Sequence, residues 1–123
     1  MTTAPAALAM VTLDASEVAP LADFWSAALG WPTVVATDDY AMLQGPSSAL
    51  GIGRIPDYQP PAWPDSGHKQ FHFDLSAPDV EAAATALVEL GATRPEVQPG
   101  ETWIVLLDPA GHPFCVTDAA NWG

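Results

Sequence analysis

Apolar and polar residues alternate through "KQFHFDLSA". Phe71, Phe73 and Leu75 fall on one face of an extended chain, and Gln70, His72 and Asp74 fall on the other. A strand with one apolar face belongs against a core, so Phe71 and Phe73 are expected to pack against a helical layer. The opposite face carries an amide, an imidazole and a carboxylate, the groups a ligand pocket would use. Upstream, "LAMVTLD" (8–14) predicts a strand. The spacing then changes: Leu21, Phe24, Trp25, Ala28 and Leu29 recur at helical intervals, with Pro20 expected at the first helical position and Gly30 as a left-handed cap. "TVVAT" (33–37), "YAMLQ" (40–44) and "ALGIGRI" (49–55) follow as strands, separated by "DD" and "GPSS" turn chemistry.

The second half repeats this order. After the strand 71–77, Pro78–Leu90 predicts a helix with Val80, Ala83, Ala84, Leu87 and Val88 on its apolar face, and Gly91 caps it. A short strand near Thr93–Val97, then "TWIVLLD" (102–108) and "PFCVTD" (113–118), complete the set. "DPAG" between the last two has the residues of a type I turn, with Asp first, Pro second and Gly fourth. Gly30 and Gly91 lie 61 residues apart, and the leading strands match near that offset. The expectation is one α+β domain of two βαβββ modules, about 8–55 and 68–118, joined by a Pro-rich connection over 56–67.

Composition narrows the partners. Hydrophobic residues make up 49% and charged residues 15%, the balance of a folded globular chain, and the 13 prolines are scattered as punctuation. Fifteen acidic residues face only Arg54, Lys69 and Arg94, a net charge of −12. That surface repels phosphate backbones and anionic membranes, so no nucleic-acid or membrane partner is expected and a neutral or cationic small molecule fits better. Cys115 is the single cysteine, which rules out an internal disulfide. The first residues have no basic segment before their apolar run, so no signal peptide is expected and the cytoplasm is the expected location.

The stretches "LADFWSAALGW", "FHFDLSAPDVEAAATALVELGAT" and "WIVLLDPAGHPFCV", with "RIPDY…WP" between the modules, resemble a glyoxalase-like domain of the vicinal oxygen chelate superfamily, which includes glyoxalases, bleomycin-resistance proteins and extradiol dioxygenases. The resemblance covers about Leu8 to Val116. It implies that the strands form a cup-shaped, mostly antiparallel eight-stranded sheet with helices outside, and that the protein is a homodimer. It also implies a metal held, in metal-dependent members, by the first and last strands of each module. Those positions map onto Met10 (or Thr12, two residues along), Gly53, His72 and Cys115. Met10 is a soft thioether, Gly53 has no side chain, and Cys115 stands where a carboxylate is expected.

This leaves two convergent ligands, His72 and Cys115, too few for a divalent ion. His68 shares a face with His72 but lies roughly 13 Å along the strand. His112 has the opposite parity to Cys115. No cofactor is therefore expected. Cys115 has no Lys or Arg beside it in sequence and is expected to be a small hydrophobe. His72 has two readings: a donor or general acid/base in the cavity, the single candidate catalytic residue, or a structural side chain pairing with Asp74 or Gln70. Asp74 is expected to meet water. Gly51 and Gly53 are expected to clear room for a ligand or a neighbouring backbone.

Phe24 and Trp25 are expected in the helix core and Trp31 at the helix exit. The candidate cavity lining comprises Met10, Thr12, Tyr40, Met42, Gly53, Trp63, Gln70, His72, Asp74, Trp103 and Cys115, an aromatic-rich set suited to flat or cationic ligands. Two functions stay open. One is a small-molecule-binding protein similar to the bleomycin-resistance group, with an incomplete metal site. The other is a glyoxalase- or dioxygenase-like enzyme acting through His72.

Overall fold

The computed structural model describes residues 4–63 and 69–122, so His68 lies outside the described residues. The chain forms two compact units, Met1–Tyr58 and Gln59–Gly123, which divide inside the Pro-rich connection.

The first unit runs β1 (Met10–Ala15), α1 (Val18–Leu29), β2 (Thr33–Ala36), β3 (Tyr40–Gln44) and β4 (Ala49–Arg54). Its sheet has the order β1-β4-β3-β2, with β1 parallel to β4 and the other pairs antiparallel. The helix begins earlier than Pro20 implied: Glu17 is the N-cap and Pro20 is the third helical residue. The missing N–H is harmless there as well, because no donor of the first turn has an intrahelical acceptor. Gly30 ends the helix at φ 70°, donating its N–H to the Ser26 carbonyl at 2.8 Å. Leu21, Phe24 and Trp25 are buried, and α1 packs on β3 and β4, whose Ala41, Leu43, Leu50 and Ile52 are buried on alternate positions. Trp31 stands at the helix exit over Gly45, where a Cβ would meet the indole at 2.6 Å.

The second unit runs β5 (Phe73–Ala77), α2 (Val80–Leu90), β6 (Ile104–Leu107) and β7 (Pro113–Asp118), ending in a short 3-10 turn over Ala119–Trp122. Its order is β5-β7-β6, with β5 parallel and β6 antiparallel to β7. Three expectations are corrected here. The strand starts at Phe73, because Gln70 takes a left-handed φ of 64° that breaks the alternation. Phe71 is consequently fully exposed and packs against no helix, while Phe73 is half-buried. The helix starts at Val80 instead of Pro78, since Asp79 is its N-cap and accepts the Ala82 N–H at 3.0 Å.

The strand expected over 93–97 is reduced to one bridge, Thr93 with Leu107. Pro95 offers no N–H to continue it. The Gln98 side chain takes its place, donating from Nε2 to the Val105 carbonyl at 2.9 Å and accepting the Val105 N–H at 2.8 Å. One amide side chain thus mimics a strand residue at the edge of β6.

The protein is α+β, with two small mixed sheets and two helices. Three of the five strand pairings are antiparallel, so antiparallel pairing predominates. Among the described residues, no helix is long and apolar enough to cross a membrane.

Candidate functional site

In the first unit the register places Met10, Thr12, Tyr40, Met42, Gly51 and Gly53 on the sheet face opposite α1, because paired residues point the same way. The Tyr40 hydroxyl donates to Met10 Sδ at 3.7 Å. The two glycines differ. A Cβ at Gly51 would meet Thr12 Oγ1 at 2.9 Å and Met10 Sδ at 3.0 Å, whereas at Gly53 the nearest atom, Thr12 Cγ2, lies 3.9 Å away. Side chains therefore fill the space above Gly51, and only Gly53 leaves room. Gly51→Ala is expected to lower stability by about 1 kcal/mol through overpacking. Gly53→Ala should be neutral or better, because it also restricts the unfolded chain. Paired urea titrations would reveal the difference; equal midpoints would mean that the face is looser than described.

The second unit holds the densest chemistry. β5 and β7 run parallel with Asp74 beside Cys115, and Val105 of β6 beside Cys115 in turn. Phe114 and Val116 point to the α2 side, so Asp74, Cys115 and Thr117 share the other face. His72, just before β5, reaches the same place. Its Nδ1 lies 3.1 Å from the Gln70 carbonyl oxygen and its Nε2 lies 3.4 Å from Asp74 Oδ1. One donor atom each from His72, Asp74 and Cys115 lies within 4.8 Å of the others. Trp63 is buried and packs on Val105 and Cys115, and the Lys69 ammonium stands 5.7 Å from the centre of its ring. A pocket of about 220 Å³ opens on this face, lined by Lys69, His72, Asp74, Thr102, Trp103, Cys115, Thr117 and Asn121.

The candidates from sequence thus fall into two groups. Met10, Thr12, Tyr40, Met42 and Gly53 share one face of the first unit. His72, Asp74, Trp103 and Cys115 line the pocket of the second, and Trp63 does not line it but packs in the core on Val105 and Cys115. Gln70 does not line the pocket; its backbone carbonyl serves His72 instead. Thr117 was legible by parity with Cys115 and was missed. Thr102 and Asn121 come from irregular segments with no sequence signal. A wider groove of about 750 Å³ in the first unit, beside the Arg54–Asp39 pair at 2.6 Å, was also not expected.

The electrostatics limit what this site can do unaided. Burial pushes the Cys115 thiol up to about 11; Lys69 opposes the shift, and the charge of Asp74 and the hydrogen bond it accepts from the thiol add to it. At neutral pH the sulfur is a thiol, not a nucleophilic thiolate. The carboxylate, moreover, is the group that meets both thiol and imidazole, so the arrangement differs from a Cys–His dyad, in which imidazole activates sulfur. For a metal, Met10 brings only a thioether and Gly53 brings nothing, while the second unit by itself presents nitrogen, oxygen and sulfur donors.

A βαβββ unit and a βαββ unit after it, each with a helix on one sheet face and polar or sulfur-bearing groups on the other, define an α+β class of two related modules. The model of the glyoxalase-like domain family matches residues 10–117. The chain belongs to that family, within the vicinal oxygen chelate superfamily. Among solved structures it is similar to a glyoxalase/bleomycin resistance protein/dioxygenase family enzyme from Burkholderia phytofirmans, with a TM-score of 0.71, 14% identity, and coverage of 92% of this chain and 98% of that one. It is also similar to lactoylglutathione lyase from Agrobacterium tumefaciens, with a TM-score of 0.64, 19% identity, and coverage of 98% and 99%. A third likeness is to the bleomycin-binding protein of Streptomyces verticillus complexed with copper(II)-bleomycin, with a TM-score of 0.59, 18% identity, and coverage of 95% and 99%. At these identities the likenesses speak to fold. No curated protein sequence matches the chain.

Proposed function

We propose that the protein is a small-molecule-binding member of the family, closer in role to a bleomycin-binding protein than to a lyase or dioxygenase. The observation that carries this reading is the chemistry of the pocket in the second unit: aromatic and polar walls around a protonated thiol, with no activated nucleophile. The incomplete hard-donor set at Met10 and Gly53 supports it, because lyase and dioxygenase chemistry of this kind relies on a Lewis-acid metal. The pocket volume of about 220 Å³ is below the range of drug-sized sites, so this unit by itself suits a compact ligand. The cationic preference has support from the charge inventory. Arg54 is paired with Asp39 and Arg94 with Glu81, and the one basic side chain at the pocket, Lys69, stands over Trp63 in a chain of net charge −12. A homodimer in the cytoplasm completes the reading.

The test is a thermal-shift panel of planar amines and matched carboxylates, followed by recovery of each compound after long incubation. Amines should raise the melting temperature, by an amount that grows with concentration as mass action requires and shrinks as salt rises. The compounds should be recovered unchanged. Equal stabilisation by the carboxylates would remove the charge argument, and turnover of any compound would favour the enzyme reading. That second reading has one observation of its own: contacts to Gln70 and Asp74 orient His72, as a general acid/base requires. His72→Gln would then abolish turnover.

A further inference from the structure

We propose that the 3-10 turn Ala119–Trp122 is a movable wall of the second unit's pocket, latched by a hydrogen-bond relay from Trp122 through Thr117, and that it sets the size of molecule admitted. This role rests on the small-molecule reading of that pocket and adds what controls entry to it.

The turn is placed to act as a wall. Among the described lining residues, Asn121 alone comes from beyond β7, and it brings a carboxamide that both donates and accepts. The turn packs on β5 and β7, the two strands that carry Asp74, Cys115 and Thr117. Asp118 Oδ1 accepts the Ala120 N–H at 2.9 Å and so fixes how the chain leaves β7.

The latch is a single hydroxyl. Trp122 Nε1 donates to Thr117 Oγ1 at 2.8 Å, and Thr117 Oγ1 donates to the Leu75 carbonyl at 2.8 Å. The direction is forced, because an indole N–H only donates, a carbonyl only accepts and a hydroxyl has one proton. Thr117 therefore ties the turn to β7 and β7 to β5 at once, while lining the pocket itself.

Little else holds the turn. None of its residues is buried, and Trp122 is 61% exposed. Segments with few buried apolar contacts open most readily. The ladder beneath is different: β5 and β7 keep their backbone pairing, and Phe114 and Val116 are closed in the core. Loss of the relay should free the turn and leave the sheet in place. Trp122 and Thr117 are thus positioning residues, and Asn121 is the group they hold against the pocket.

Cys115 makes this measurable without a known ligand. It lines the pocket, is 3% exposed and is the single cysteine, so its alkylation reports how open the pocket is. The test compares N-ethylmaleimide with the bulkier N-(1-pyrenyl)maleimide on the full chain, each rate normalised to that of a free thiol. The native protein should discriminate against the pyrenyl reagent. Thr117→Val removes both hydrogen bonds and should speed the pyrenyl reaction by about tenfold, narrowing the size discrimination. Trp122→Phe removes one bond and should give a smaller rise, whereas Thr117→Ser keeps the hydroxyl and should match the native rates. The rise should be insensitive to low urea, because a local opening exposes little surface and global unfolding exposes much. Trp122 is an exposed side chain, so Trp122→Phe decides the matter even if Thr117→Val fails to fold. Unchanged rates and size ratio, or a rise that tracks global unfolding in urea, would overturn the wall. The pocket reading fails separately: no thermal shift with the amine panel, beside the expected alkylation pattern, would remove the amine ligand and leave the wall standing.

Discussion

Replacing Trp25 with alanine should destabilise the protein by about 3–5 kcal/mol, the cost of removing a large aromatic from a closed core. The indole is wholly buried, at 0% exposure, and meets the Phe24 ring edge-on with centroids 5.1 Å apart. It sits one turn beyond Leu21 on the face of α1 that covers β3 and β4, so its loss opens a void in a closed core. Against a total of roughly 5–15 kcal/mol for a domain, that is a large fraction. Equilibrium urea unfolding should show a lower midpoint at unchanged slope. Val88→Ala, on the exposed side of α2, should change the midpoint by no more than about 0.5 kcal/mol. A Trp25→Ala loss under about 1 kcal/mol would contradict the placement of α1 on its sheet.

The second large effect is expected at Asp108. It is the single buried charged residue among those described, at 3% exposure, and its carboxylate does the work of a turn. Oδ1 accepts the N–H groups of both Ala110 and His112 at 2.9 Å, while the Asp108 carbonyl accepts from Gly111 at 2.8 Å. Asp108→Ala strands two partly buried donors and should cost about 2–3 kcal/mol. Asp108→Asn retains an acceptor oxygen and should recover much of the loss. Because the turn sets the register of β6 against β7, hydrogen exchange at Val105 and Cys115 should quicken in the alanine variant. Unchanged exchange there would show that the turn does not hold the ladder.

How much of this was visible in the sequence depends on the kind of signal. Periodicity placed α1, α2, β3 and β4 because burial on one face enforces it, whereas β2, exposed throughout, was legible only from its β-branched residues, and the caps from glycine itself. The "DPAG" turn was legible from residue chemistry alone. The alternation in "KQFHFDLSA" was misleading at its start. Phe71 obeys the pattern, yet the left-handed backbone at Gln70 takes it out of the sheet, and a positive φ at a glutamine leaves no trace in composition. Likewise, Gln98 completing the β6 edge is a side-chain substitution for backbone that no strand pattern encodes. Parity correctly put His72, Asp74 and Cys115 on one face. That Asp74 stands close enough to join the other two follows from the parallel register of β5 with β7, which requires pairing two strands far apart in the chain.

That parallel register also shapes how each unit can assemble. Met10 pairs with Ala49 in the first unit and Phe73 with Phe114 in the second. In both, the strands that meet are separated by about forty residues, and closing a loop of that length carries a length-dependent entropy term of about 3 kcal/mol. The hairpins β2–β3–β4 and β6–β7 and the two helices can form from local contacts, but the opening strand of each unit must wait for the closing one. Neither unit has an entropic head start over the other. The face that carries His72, Asp74 and Cys115 needs the long-range pairing of β5 with β7, so its chemistry is expected to depend on the slowest class of contact in the unit and not on either hairpin or helix alone.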